Sequence, residues 1–166
     1  MSSRGAIRAA IAAYFSPANL PAVSTTFRAR PKIIPAQAYG LAEGGGSGAV
    51  LIVHMTKDPE LRRATGGLTS GEKYTRHAIA LEIRFQSTKD DAMSAQDDYD
   101  TLVQSLFDLI HQDRTLGTGG GATGAVWQAG EGPAGIDHQQ SEPVLTKQVT
   151  RISGVFKFEA WEWVQA

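Results

Sequence analysis

Gly119, Gly121 and Gly124 stand at the G-x-G-x-x-G spacing that cradles a dinucleotide pyrophosphate, inside the run GTGGGATGAVWQAGEG from Gly117 to Gly132. Spacing alone does not bind a phosphate. The glycines must leave a buried strand and open a helix, so that free backbone amides and the positive end of the helix dipole face the anion. Here they follow a helical pattern and precede a short strand pattern, and a helix C-terminus presents carbonyls, which repel phosphate. No acidic residue closes a second strand about 20 residues later to hold a ribose. No lysine followed by Ser or Thr lies in the loop, so a triphosphate loop is equally unsupported. The stretch reads as a pliable connection, and no cofactor is expected. A nucleotide-binding enzyme using this loop is kept as the alternative from another class; it requires that substituting Gly119, Gly121 or Gly124 abolish nucleotide binding.

The remaining chemistry-bearing residues are scattered. His54, His77, His111 and His138 include no i, i+4 pair of the kind that ligates zinc on a helix, so no metal is expected. His54 and His77 could face one another across a hairpin, where a hydrogen-bonded pair is commoner than a metal site lacking acidic or thiolate ligands. Asp97, Asp98 and Asp100 cluster on a helical stretch, where a catalytic carboxylate pair competes with a plain solvated face, and the second is the default. No G-x-S-x-G elbow and no Ser-His-Asp context occurs. Catalytic residues: none are expected, and the chain does not read as an enzyme. Arg28, Arg30 and Lys32 alternate along an early strand, while Arg62, Arg63, Lys73 and Arg76 flank a long hairpin loop. Such cations serve phosphates or the acidic surface of a neighbouring subunit. The formal net charge of −1 favours the neighbour.

The 166 residues suffice for one domain with one core, so residues 1–166 are read as a single domain. There is no cysteine, which removes disulfides, thiolate catalysis and thiolate-held metals. No apolar run approaches a membrane span, and no signal peptide is expected before Phe15.

The elements that must position these residues follow from apolar spacing. Ser2 to Phe15 carries Ile7, Ala10, Ile11 and Tyr14 on one helical stripe, ended by Ser16-Pro17. Val23 to Arg30 alternates as a first strand, stopped by Pro31 and Pro35. After the turn Gly44 to Gly48, the continuous run Ala49 to Thr56 predicts a strand covered on both faces. His77 to Gln86 is its antiparallel partner, with His77, Ile79, Leu81, Ile83 and Phe85 on one face. The intervening Lys57 to Arg76 is too long for a tight hairpin and should protrude. Asp90 to Gln112 is the longest helix, with Ala95, Tyr99, Leu102, Leu106 and Leu109 or Ile110 inward and Asp90 and Asp91 at its positive end. Asp113 to Gly117 reads as its end with a glycine stop. Gly124 to Ala129 is a short strand, and Thr146 to Trp163 a long final one. In that strand the apolar phase shifts after Ala160 to Trp161 and Trp163, which predicts a bulge or a strand end that meets another surface. The expected class is α+β: an antiparallel sheet of about four to five strands packed by two helices, with a long protruding hairpin.

This order of elements resembles the tail terminator proteins of long-tailed bacteriophages, also described as minor tail or tail completion proteins. The resemblance runs over nearly the whole chain: the N-terminal helix, the long hairpin ending His-Ala-Ile-Ala-Leu-Glu-Ile-Arg-Phe-Gln, the helix from Asp90-Asp91 through Tyr99-Asp-Thr-Leu-Val-Gln-Ser-Leu-Phe-Asp-Leu-Ile, the Leu116-Gly turn and the aromatic last strand. It implies a virion protein of the tail or neck, assembled in the host cytoplasm, forming a homohexameric ring. That ring caps the tail tube protein, stops its polymerisation and offers its other face to the head-side connector or stopper protein. DNA passes through without specific binding, and no membrane is involved. Under this resemblance Asp97, Asp98 and Asp100 become lumen-facing candidates, and Arg62, Arg63, Lys73, Arg76, Trp161 and Trp163 become subunit or partner contacts. A head-tail connector or stopper ring is the neighbouring alternative.

Overall fold

The computed structural model describes residues 4–41, 46–57, 60–63, 72–119, 126, 128–133 and 135–165, with the backbone alone described at 57, 60–63, 72–74 and 163–165. In chain order the elements are α1 (Arg4–Tyr14), β1 (Val23–Phe27), a short 3-10 helix (Ala36–Tyr39), β2 (Ser47–Lys57), β3 (Glu60–Arg63), β4 (Glu72–Ser87), α2 (Ala92–Gln112), β5 (Gln128–Ala129), β6 (Asp137–Gln140), β7 (Val144–Leu145) and β8 (Thr150–Gln165). The fold is α+β. Its sheet runs β1-β2-β4-β8-β5, with β3 also pairing β4, and β6 and β7 also pairing β8. All these pairings are antiparallel except β1 with β2. A parallel neighbour needs a crossover, and the chain from Arg28 to Gly46 supplies it.

Both helices lie on one face. α1 buries Ile7 and Ile11; α2 buries Ala95, Tyr99, Leu102, Leu106 and Ile110, which are three or four residues apart and so share one stripe. They meet Ala49, Leu51 and Val53 of β2, Ile79, Leu81, Ile83 and Phe85 of β4, and Ile152, Phe156, Phe158 and Ala160 of β8. Each fully buried Leu, Ile or Phe in this layer contributes about 1.5–3 kcal/mol. The continuous apolar run of β2 has the expected cause. Its alternate residues Val50 and Ile52 point the other way, into a second small cluster with Ala38 and Tyr39, against which Phe27, Ile34 and Leu41 pack. The 3-10 helix thus covers only the β2 side of the second sheet face.

α2 starts one residue beyond Asp91, whose carboxylate accepts from the amides of Met93 (3.0 Å) and Ser94 (3.3 Å). These bonds hold the Asp91 carboxyl below the usual carboxylate range. The helix ends at Gln112, earlier than a glycine stop would place it. The left-handed residues Leu116 and Gly117 come in the following turn, where Asp113 accepts from the amides of Thr115 (2.9 Å) and Gly117 (3.0 Å).

Two expectations change. β4 and β8 pair from Glu72 with Gln165 to Ser87 with Thr150 in unbroken register, so no bulge follows Ala160. The phase shift has another cause: the inward position after Ala160 is Glu162, only 2% exposed, and it meets His77 instead of an apolar neighbour. Of the strand expected over Gly124 to Ala129, Gln128–Ala129 is described as β5, while Gly124, Ala125 and Trp127 lie outside the described residues. The expected start of the last strand at Thr146 is a turn, in which the Thr146 amide donates to Val149 O (3.0 Å) and folds β7 back on β8. β6, with the polar sequence Asp-His-Gln-Gln, has no alternation to betray it; pairing with β8 creates it.

Candidate functional site

Strands β4 and β8 are sixteen residues each, about 50 Å at the usual rise per residue, where five or six residues are typical. Among the described residues the apolar core does not fill that length. Beyond Ile79 and Ala160 the inward positions become His77, Thr75 and Glu162, all buried. His77 Nε2 lies 3.2 Å from Glu162 Oε2, so a buried hydrogen-bonded pair replaces packing here. β3 adds a third strand to this end, with Arg62 opposite Lys73 and Arg63 opposite Glu72.

The expected contact residues converge on this ribbon. Arg76 and Trp161 are directly opposed on its outward face. The Arg76 guanidinium lies 5.9 Å from the indole centroid and 3.4 Å from the Glu159 carboxylate. Thr75 Oγ1 and Arg76 Nε are buried without a hydrogen-bond partner among the described residues. The backbones of Arg62, Arg63, Lys73 and Trp163 belong to the same ribbon, while their side chains, and the loop positions 58–59 and 64–71, lie outside the described residues.

The second sheet face forms a groove of about 810 Å³ that reaches from β7 across β8 and β4 to the end of β2, with Ala29, Arg30 and Arg8 of α1 at its far side. Its charged lining is Arg8, Arg30, Arg84, Arg151, Glu82 and Glu142. Glu82 is held by His54 Nε2 (3.0 Å) and by Arg84 Nε (2.6 Å). Burial pushes the Glu82 carboxyl up, but these bonds and the charges of Arg84 and Arg30 outweigh it and leave it lowered. Burial raises the Tyr39 pKa, while the charges of Arg84 and Arg151, which line the same groove, act against that rise. Sequence reasoning picked out Arg30 but passed over Arg84 and Arg151. Their signal was present in the outward alternation of β4 and β8, yet only pairing those strands brings the two together.

His54 and His77 do not face each other. His54 pairs with Ala80 and lies on the groove side, whereas His77 lies on the core side, and each finds its own glutamate. The three aspartates also separate. Asp98 is pinned inside the subunit by Lys89 Nζ (2.6 Å) and Ser47 Oγ (2.7 Å), which lower its pKa, whereas Asp97 and Asp100 remain exposed. Beneath α2 the Tyr99 hydroxyl lies 2.9 Å from His138 Nε2. Burial, with a contribution from Asp100, pushes the Tyr99 pKa up to about 12, and burial lowers that of His138.

Of the glycine stretch, Gly117 and Gly119 are left-handed; Gly121 and Gly124 lie outside the described residues. Thr118 Oγ1 donates to Val126 O (2.8 Å) and accepts from the Val126 amide (3.1 Å), joining the two ends of the stretch. It leaves a helix C-terminus and reaches a buried residue, Val126. Among the described residues no group of three or more His, Asp or Glu could hold a metal ion, and no helix is long and apolar enough to cross a membrane. In comparison with known proteins, the chain matches no family model and no curated sequence.

Proposed function

We propose that the chain is a structural subunit of a phage tail or tail-like particle, acting as a homo-oligomeric ring that caps the tail tube. The carrying observation is the β3–β4–β8 ribbon. Among the described residues it runs past the apolar core, carries Arg76 and Trp161 on its outward face, and holds the buried Thr75 Oγ1 and Arg76 Nε without hydrogen-bond partners. Strand length whose described inward positions are polar adds little apolar burial to the subunit's own stability, and arginine and tryptophan are among the residues enriched where interface energy concentrates. Capping follows from one face occupying the growing end of the tube while the subunit withholds a second copy of that face. The other side of the ring then receives the head-side connector, and DNA passes without specific binding.

The test uses purified tube protein polymerising in the presence of this chain. Shorter tubes with the chain at one end are expected, and Arg76→Glu or Trp161→Ala should restore long tubes while the circular dichroism spectrum is unchanged. Particles assembled without the protein should have overlong tails and unjoined capsids. Normal tail lengths in its absence would sink the reading, and binding to portal-containing heads but not to tubes would replace it with the stopper reading.

A further inference from the structure

The solvent face of α2 and the groove on the opposite side of the sheet are opposite in charge. Met93, Asp97, Asp100, Gln104 and Asp108 form one exposed stripe along α2, and the helix contains no lysine or arginine. The groove sets four arginines against two glutamates. Val144, on β7 at its rim, is 58% exposed, and Met93 is 74% exposed. Both surfaces therefore combine an uncovered apolar side chain with a predominance of one charge sign, negative on α2 and positive in the groove.

The spacings also agree. A helix advances 1.5 Å per residue, so Asp97, Asp100 and Asp108 lie about 6, 10 and 22 Å along the axis from Met93. Val144 is directly opposite Arg151 on β8, and Arg84 lies on β4, the next strand. Strands sit about 4.8 Å apart, so a path from β7 meets Arg151 at about 5 Å and then β4 at about 10 Å. There Arg84 stands two residues along from Gln86, the residue opposite Arg151. Arg30 lines the same groove, and its charge acts on Glu82 of β4. A helix laid obliquely across β8 and β4 thus brings Met93 to Val144, Asp97 to Arg151 and Asp100 to Arg84, with Arg30 further along the groove.

We propose that the groove receives the α2 solvent face of a second copy of this chain. The contact rests on the ring reading, for which it supplies the subunit interface. α2 and most of the groove lie on opposite faces of the sheet, so each copy offers one half of the contact at each side and the association is head to tail.

The experiment compares the full-length protein with two double variants of exposed residues, R30E/R151E and D97K/D100K, by sedimentation velocity at low ionic strength, where screening is weakest. The wild type should associate, and added salt should weaken it. Each variant alone should lose association by about tenfold or more for each reversed pair, and an equimolar mixture of the two should recover it. A monomeric wild type, variants that keep the wild-type mass, or a mixture that stays dissociated would each overturn the contact. So would duplex DNA that binds the wild type and not R30E/R151E while the masses are equal, which would make the groove a nucleic-acid site. If the variants still shorten tubes as the wild type does, the contact falls and capping stands. If the mixture co-assembles but the wild type leaves tube length unchanged, capping falls and the contact stands.

Discussion

His138 shows how one polar side chain is held under a helix. It lies against Tyr99 and Phe156, and its Nε2 meets the Tyr99 hydroxyl. Burial lowers its pKa from 6.5, with Asp100 and Asp137 opposing the shift. The unfolded chain therefore takes up a proton near pH 6.5 that the folded chain refuses. The stability associated with neutral His138 is fully present above that pH and is lost as pH falls through it towards the folded value. Urea unfolding between about pH 7.5 and pH 5.5 should show stability declining with acidity, and His138→Gln should flatten part of that decline. An unchanged slope in the variant would show that His138 titrates alike in both states. The lowered carboxylates Glu82, Asp98 and Asp113 act in a separate window, below about pH 4.

At the scale of elements, β8 organises the molecule. It pairs with β4 along its whole length and takes β5, β6 and β7 on its other edge. α2 crosses it at Gly154, where an added β-carbon would overlap the Tyr99 hydroxyl and come within 3.1 Å of His138 Nε2. A glycine weakens a strand on propensity alone, so this one is there for the close approach of the helix. Gly154→Ala should cost about 1–3 kcal/mol, the usual penalty of overpacking. Gly154→Ala with Tyr99→Phe, which removes the clashing oxygen, should recover part of it. Equilibrium denaturation measures both, and additive losses in the pair would place the strain elsewhere.

For the whole molecule, the expected consequence is a gradient of stability along the β4–β8 ribbon. Between Ile79 and Phe85 both strands are backed by the helices; at Thr75 and His77 the inward positions are polar. Amide exchange should be slowest at Leu81 and Ile83 and faster at Thr75 to His77, where opening exposes little apolar surface. Assembly should slow the fast set, and equal exchange along β4 would mean that its polar end is stabilised within the subunit. Much of this architecture was legible in the chain. The three- and four-residue spacing of α1 and α2, the two-sided apolar run of β2 and the alternation of β4 are local signals, because each element's period decides which side chains share a face. By itself the sequence determined the α+β class, the two helices on one sheet, most core positions and the lack of thiol chemistry. Tertiary structure alone decided the parallel β1, the polar strand β6, the partners of His54 and His77, the split of Asp98 from Asp97 and Asp100, and the meeting of Arg84 with Arg151. Those features depend on which strands become neighbours and in what register, and pairing between residues far apart in the chain leaves no periodic mark within either segment.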